Sequence, residues 1–275
     1  NMKIALINTY NEEYLMKWWL PHHVEKFDAG VVVDYDSNDG TIDLIRKYAP
    51  HWQIIQSRNK TFGAAENDQE FMDIERQIQY QYPRSWMIVL NATEFLIGET
   101  KKLEDKPFRI QKLVPCHMMI DPKEKAFTEP DPNISLIKQR TFGVEFNYSD
   151  RFDPFNNDLT RLTSSEGLPH PNRLMRSLCN GESYYLYTSM YGPGRHYWGS
   201  PCEDFAILWY GAYSPFNENQ IKRRTQIQHK IPKSDFDRGN SLHHKTDEFQ
   251  EIKKYSFYQN YTKDLSEIIK RYENI

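Results

Sequence analysis

A chain of 275 residues with 39% hydrophobic content carries enough apolar mass for one large core or two small ones. Its 35 Lys+Arg and 38 Asp+Glu are interspersed and leave a net charge of −3, which excludes the basic stripe of a nucleic-acid-binding surface. Cys116, Cys179 and Cys202 are too few and too far apart for a disulfide framework or a paired-cysteine zinc site. No apolar run reaches the ~18 residues that a membrane helix needs, so the chain is expected to be cytoplasmic, with no membrane span.

The first hundred residues alternate between two patterns. Runs at residues 3–9, 30–34, 52–56 and 86–91 are almost continuously apolar, the mark of strands in a sheet covered on both faces. Helical spacing fills the gaps: Leu15, Trp18, Trp19 and His22, then Ile42, Ile45 and Tyr48, then Phe71, Ile74 and Ile78. Pro21 is expected to end or kink the first helix. Residues 39–41 offer polar capping groups to the second. Strand–helix–strand repetition predicts an α/β fold, a doubly wound and mostly parallel sheet. Beyond residue 100, prolines break the periodicity and predict loops and short mixed strands. Phe249, Ile252 and Tyr255, then Leu265, Ile268, Ile269 and Tyr272, predict a C-terminal helical extension.

In an open α/β sheet, ligands sit outside the carboxyl ends of the strands. That rule selects Thr9, Tyr10, Asn11 and Glu12 after the first strand, Asp34 and Asp36 after the second, and Asn91 to Glu94 after the fourth. A carboxylate there can accept from a nucleobase N–H or a ribose hydroxyl, and a deeper one can hold a divalent cation against a pyrophosphate. The alternative is that these acids cap the helices that follow. For Asp39 that reading is preferred; for Asp34 and Glu94 the ligand-binding one is.

Four segments recur in order: Ile7-Asn-Thr-Tyr-Asn-Glu-Glu-Tyr-Leu15, then Trp19-Leu-Pro-His-His23, then Val33-Asp-Tyr-Asp-Ser-Asn-Asp-Gly-Thr41, then Trp86-Met-Ile-Val-Leu-Asn-Ala-Thr-Glu-Phe-Leu96. Over residues 2–98 the chain resembles the family 2-type glycosyltransferases, in the branch whose segments read RNE..YL.EWL.HH, D..S.DGT and DADEFL. The resemblance implies a GT-A-type fold and a nucleoside-diphosphate sugar donor, UDP- or GDP-linked. It also implies a glycan, lipid or protein acceptor and usually inversion at the anomeric carbon. On that reading residues 1–245 form the transferase domain, with a donor half at 1–100 and an acceptor half at 101–245, and residues 246–275 add the C-terminal helices.

The chain departs from the family at the metal segment. Asn91 and Thr93 stand where the family places Asp, leaving Glu94 as the one acidic candidate ligand. A divalent cation, Mn²⁺ or Mg²⁺, is therefore expected to be weakly bound or dispensable. Cys202-Glu-Asp-Phe205 resembles the acceptor-side Glu-Asp pair, which nominates Asp204 as general base, then Glu203, then His196. Asp204 is expected at the start of a helix over residues 205–210, and a mere capping role is the alternative. Arg223, with Lys222 and Arg224, is either a pyrophosphate ligand replacing the metal or part of a solvated helix face. Two competing functions remain. One is an inactive relative that binds sugar nucleotides or glycans. The other is a nucleotidyltransferase, disfavoured because residues 8–13 contain no glycine.

Overall fold

The structure is a computed structural model that describes residues 2–103, 111–125, 127–145, 176–180 and 200–275. Strands and helices alternate as expected: β1 (Lys3–Thr9), α1 (Glu13–Val24), β2 (Ala29–Asp34), α2 (Thr41–Tyr48), β3 (Gln53–Gln56), α3 (Ala64–Gln81) and β4 (Trp86–Leu90). There follow β5 (Glu94–Ile97), β6 (Gln111–Val114), β7 (Cys116–Met119), α4 (Leu136–Gln139), β8 (Phe142–Val144), β9 (Arg176–Asn180), β10 (Ser200–Pro201) and β11 (Ala206–Trp209). The chain closes with α5 (Glu218–Gln226), α6 (Lys233–Asp237), α7 (Glu248–Tyr258), β12 (Lys263–Asp264) and α8 (Ser266–Tyr272).

Among the described residues the strands form two sheets, ordered β10-β6-β9-β4-β1-β2-β3 and β12-β8-β7-β11-β5. β4, β1, β2 and β3 are parallel, and β9 is antiparallel to both β4 and β6. Side chains alternate across the sheet. Ala5, Ile7, Val32, Ile88 and Leu90 pack with α1 and α2 into the larger core. Ile4, Leu6, Val31, Val33, Met87 and Val89 meet Phe71, Ile74 and Ile78 of α3 on the other face. The sheet is thus doubly wound, and the chain reverses direction across it between β1 and β4.

Three local expectations need correction. α1 runs through Pro21 to Val24. Leu20 and His23 on either side of the proline are fully buried, and that packing outweighs the lost hydrogen bond. The run at residues 205–210 forms β11, a strand and not a helix, paired with β5 on one side and β7 on the other. A short apolar run without polar interruptions has no period to tell the two apart. In α7, Phe249 is 74% exposed, and the buried face is Glu251, Tyr255 and Tyr258. The C-terminal helices do not stand apart: Tyr255, Tyr258, Leu265 and Ile269 belong to the larger core, and β12 pairs with β8.

α1 also seals the free edge of β5, the outer strand of the second sheet. Trp19 Nε1 donates to the Glu94 carbonyl at 2.8 Å. His23 Nδ1 donates to the Trp19 carbonyl at 2.8 Å, which leaves Nε2 to accept the Leu96 N–H at 3.0 Å. His22 Nε2 donates to the Leu96 carbonyl at 2.7 Å, and Lys26 Nζ to the Gly98 carbonyl at 3.1 Å. Glu273 accepts the Gly98 N–H at 3.0 Å and pairs with Lys26. Residues 19, 22 and 23 lie on α1 and Lys26 in the turn that follows it, and their side chains together replace a missing neighbour strand along residues 94–98.

His23, donating through Nδ1 and accepting through Nε2, must be neutral in its observed role. Burial lowers His23 well below the usual histidine range; burial and then the Lys26 charge bring His22 to about 4. Buried His117 is likewise lowered to about 4. An unfolded histidine takes up its proton near 6.5, so in the window between there and about 4 the unfolded state binds more protons and stability falls as pH falls. We predict that His117→Asn flattens this loss by up to about 1.4 kcal/mol per pH unit, read from urea unfolding at a series of pH values. His23→Leu should cost about 1–3 kcal/mol at pH 7.5, because it orphans the Leu96 N–H; unaltered stability would mean that β5 needs no such partner.

Candidate functional site

The crevice between the loops after β1 and β4 lies where the strand order reverses, the place where such sheets bind ligands. Asp34, 3% exposed, ends β2 beside it. Its Oδ1 accepts from the Thr9 hydroxyl at 3.1 Å and its Oδ2 from the Ser37 N–H at 3.1 Å. The two loops then interlock. Asn11 donates from its N–H to Ser37 Oγ at 3.0 Å and from its side chain to Asn38 Oδ1 at 2.9 Å, and it accepts the Asn38 N–H at 2.8 Å. Asn11 (φ 49) and Asp36 (φ 57) both adopt the left-handed conformation, which Asn and Asp tolerate best among non-glycine residues. Asp39 Oδ1 accepts the Thr41 N–H at 2.9 Å and Oδ2 the Glu13 N–H at 3.2 Å, so it caps two helices. Exposed Asp36 accepts from Gln56 at 3.0 Å. Asp34, Asp36, Arg46 and Gln56 help to line an open hollow of about 430 Å³ beside the tips of β2 and β3.

Across the crevice, Asn91, Ala92, Thr93 and Glu94 form a tight turn. Glu94 N donates to the Asn91 carbonyl at 3.0 Å, and Glu94 Oε1 accepts the Asn91 N–H at 3.1 Å. The Thr93 carbonyl accepts from Tyr210 N at 2.7 Å. The Glu94 carboxylate, 4% exposed, therefore holds its own turn together. Asn91 and Thr93 contribute only a neutral amide and a hydroxyl. Among the described residues no cluster of three His, Cys, Asp or Glu is arranged to hold a metal. This donor set fits poorly with a divalent cation bridging a diphosphate, which calls for carboxylate oxygens.

The segment that carries the Lys222–Arg224 cluster closes over the β1 loop. α5, α6 and the residues between them lie across it as a strap. Arg223 pairs with Glu12 at 3.1 Å and donates to the Gly211 carbonyl at 2.6 Å. Burial pushes the Glu12 carboxyl up even beside that guanidinium. Gln226 donates to the Asn11 carbonyl at 3.1 Å. Lys230 Nζ stands 4.6 Å above the Tyr10 ring, its carbonyl accepts the Phe62 N–H at 2.8 Å, and Asp235 caps the start of α3 at Ala64 N, at 2.9 Å. Phe62 stacks on Tyr35 at 4.1 Å and meets Tyr10 edge-on at 6.5 Å. The basic cluster is no uniformly solvated face: Arg224 is buried against Glu251 at 3.5 Å, and Lys222 alone of the three is exposed.

The structure thus brings Thr9, Tyr10, Asn11, Glu12, Asp34, Asp36, Asn91, Glu94 and Arg223 to one end of the sheet. It does not bring Glu203 and Asp204 there. Trp209 pairs with Glu94 and Ala206 with Ile97, so Asp204 sits beside Gly98, at the far end of β5. Four residues of strand at ~3.3 Å each put that end ~13 Å from Glu94. Both acids there help to raise the Tyr272 hydroxyl, after burial and Cys202. His196 lies outside the described residues. Phe62, Gln226 and Lys230 carried no sequence signal, because only the folded strap sets them beside Tyr10.

What the fold and crevice define is a mixed α/β protein with a ligand-type crevice at the switch point of a mostly parallel sheet. No family model and no curated protein matches the sequence. Among solved structures, S. aureus TarS 1-349 is similar at 12% identity, covering 84% of this chain and 65% of that one, with a TM-score of 0.38. A further TarS structure is similar at 11% identity over 84% of this chain and 43% of that one, TM-score 0.40. TarS 1-349 in complex with UDP is similar at 10% identity over 99% and 92%, TM-score 0.37. The chain spans less than two thirds of the first two, and no residue role is carried over from any of them. No helix among the described residues is long and apolar enough to cross a membrane.

Asp34→Ala frees the Thr9 hydroxyl and the Ser37 N–H together. We expect it to lower stability by about 1–3 kcal/mol in urea unfolding. Full stability would mean that the Asn11–Asn38 exchange holds the two loops unaided.

Proposed function

We propose that this protein is a glycosyltransferase that moves a sugar from a nucleoside-diphosphate donor to a hydroxyl on a glycan, lipid or protein acceptor. The observation that carries the reading is the switch-point crevice, ringed by Thr9, Asp34 and the 91–94 turn and flanked by Tyr10 and Phe62. The ordered resemblance of residues 2–98 to family 2-type enzymes supports it. In the inverting course, the acceptor oxygen bonds to the anomeric carbon as the bond from that carbon to the diphosphate oxygen breaks. The nucleoside diphosphate departs with the electron pair and the acceptor proton passes to a base.

Donor recognition falls to Asp34 and the aromatic side chains, and water exclusion to the strap. If a divalent cation binds at all, Glu94 and the donor phosphates would hold it, and it would supply charge neutralisation. Since Asp204 and Glu203 lie at the far end of β5, the base passes to the remaining nominee, His196. A second reading, an inactive sugar-nucleotide binder, draws on the neutral Asn91 and Thr93.

A thermal-shift screen of nucleotide sugars tests the shared core of both readings; a donor at 100 times its Kd should stabilise the fold by ~2.7 kcal/mol. Transfer and donor hydrolysis then separate them. We expect turnover to persist in EDTA, and complete loss restored by micromolar Mn²⁺ would refute a dispensable metal. Asp204→Asn should leave the rate essentially unchanged, and His196→Asn should lower it by at least ~10²-fold. The reverse pattern would return the base to Asp204.

A further inference from the structure

Resting on the donor-site reading above, we infer that Lys230 supplies the positive charge for the donor's diphosphate that the 91–94 turn is unsuited to recruit as a metal. The turn offers an amide, a hydroxyl and one carboxylate already accepting its own backbone N–H. A diphosphate in the crevice still needs a counter-charge, since its oxygens lose water on entering.

Two cations of the strap touch the β1 loop. Arg223 is committed to Glu12 and the Gly211 carbonyl. Lys230 is different: among the described residues its ammonium makes no ion pair, and its neighbour is the face of Tyr10 at 4.6 Å. A cation held by a ring face is held more weakly than one bonded to phosphate oxygens, so moving it to a ligand costs little.

The register sets both loops at one end of the sheet. Ile7 of β1 pairs with Leu90 of β4, the last pair of that ladder, so the β1 loop that carries Tyr10 and the 91–94 turn leave neighbouring strands at the same end. The backbone of Lys230 is fixed independently of its side chain, because its carbonyl accepts the Phe62 N–H at 2.8 Å. Substituting the side chain therefore spares that attachment of the strap.

The test is calorimetry in EDTA with UDP and uridine, and with GDP and guanosine as a second pair, on the unaltered protein, Lys230→Met and Lys230→Arg. We expect Lys230→Met to weaken the bound diphosphate by about tenfold or more with the nucleoside unaffected, and Lys230→Arg to recover most of the loss. An equal loss for nucleoside and diphosphate would overturn the inference, by making Lys230 a support for Tyr10. Undiminished diphosphate binding in Lys230→Met would overturn it too, as would a gain of about tenfold or more for the unaltered protein on adding Mn²⁺. If neither nucleotide nor nucleoside binds the unaltered protein, the donor-site reading itself falls and takes this inference with it.

Discussion

The edge of β5 is the constraint around which the two sheets are arranged. A strand with one side unpaired exposes a row of backbone N–H and carbonyl groups that must be satisfied if they are buried. Here α1 and the turn after it satisfy them with side chains: Trp19, His22, His23 and Lys26 meet residues 94, 96 and 98 in turn. The same helix packs Leu15, Trp19 and Leu20 against the first sheet. One helix therefore joins both sheets, and it sets the 91–94 turn, from which β5 departs, at a fixed place beside the end of β1. The neutral state of His23 follows from this role, since it must accept a hydrogen bond through Nε2.

The crevice itself is built from charge satisfied internally. Asp34, Asp39 and Glu94 each spend carboxylate oxygens on the loops that carry them. That self-sufficiency holds the loops in unusual conformations, Asn11 and Asp36 among them, at a backbone cost that a ligand then does not have to meet. It also explains how a site with a depleted acidic turn can stay ordered. A turn that depended on a bound cation for its shape would lose it along with the missing carboxylates, whereas this one is closed by Glu94 and by Tyr210 N.

The strap formed by α5 and α6 adds what the sheet lacks. It reaches the β1 loop through Arg223, Gln226 and Lys230 and the start of α3 through Asp235. Its positive groups face a loop bearing Glu12, so electrostatic attraction and backbone hydrogen bonds draw it to the same place. Within this arrangement Arg223 is bonded to Glu12 and the Gly211 carbonyl, whereas Lys230 lies against the Tyr10 ring, a difference that no count of basic residues would reveal.

The sequence by itself determined the α/β alternation, the burial of β1, β2 and β4, and the loops at which the crevice lies. Those features depend on local periodicity and on the rule that parallel strands present their carboxyl ends to ligands. Asp39 as a helix cap was also legible, because capping is decided within a few residues. Tertiary structure decided the rest. Whether residues 205–210 become helix or strand depends on β5 and β7 being there to pair with them, and that pairing carried Asp204 to the far end of the sheet. Pro21 stays within α1 because the core holds Leu20 and His23 on both sides of it. His22 and His23 serve as backbone partners, since only the folded chain brings Leu96 to their ring nitrogens. Lys230 and Phe62 lie 168 positions apart, and it takes the folded strap to set them together against Tyr10.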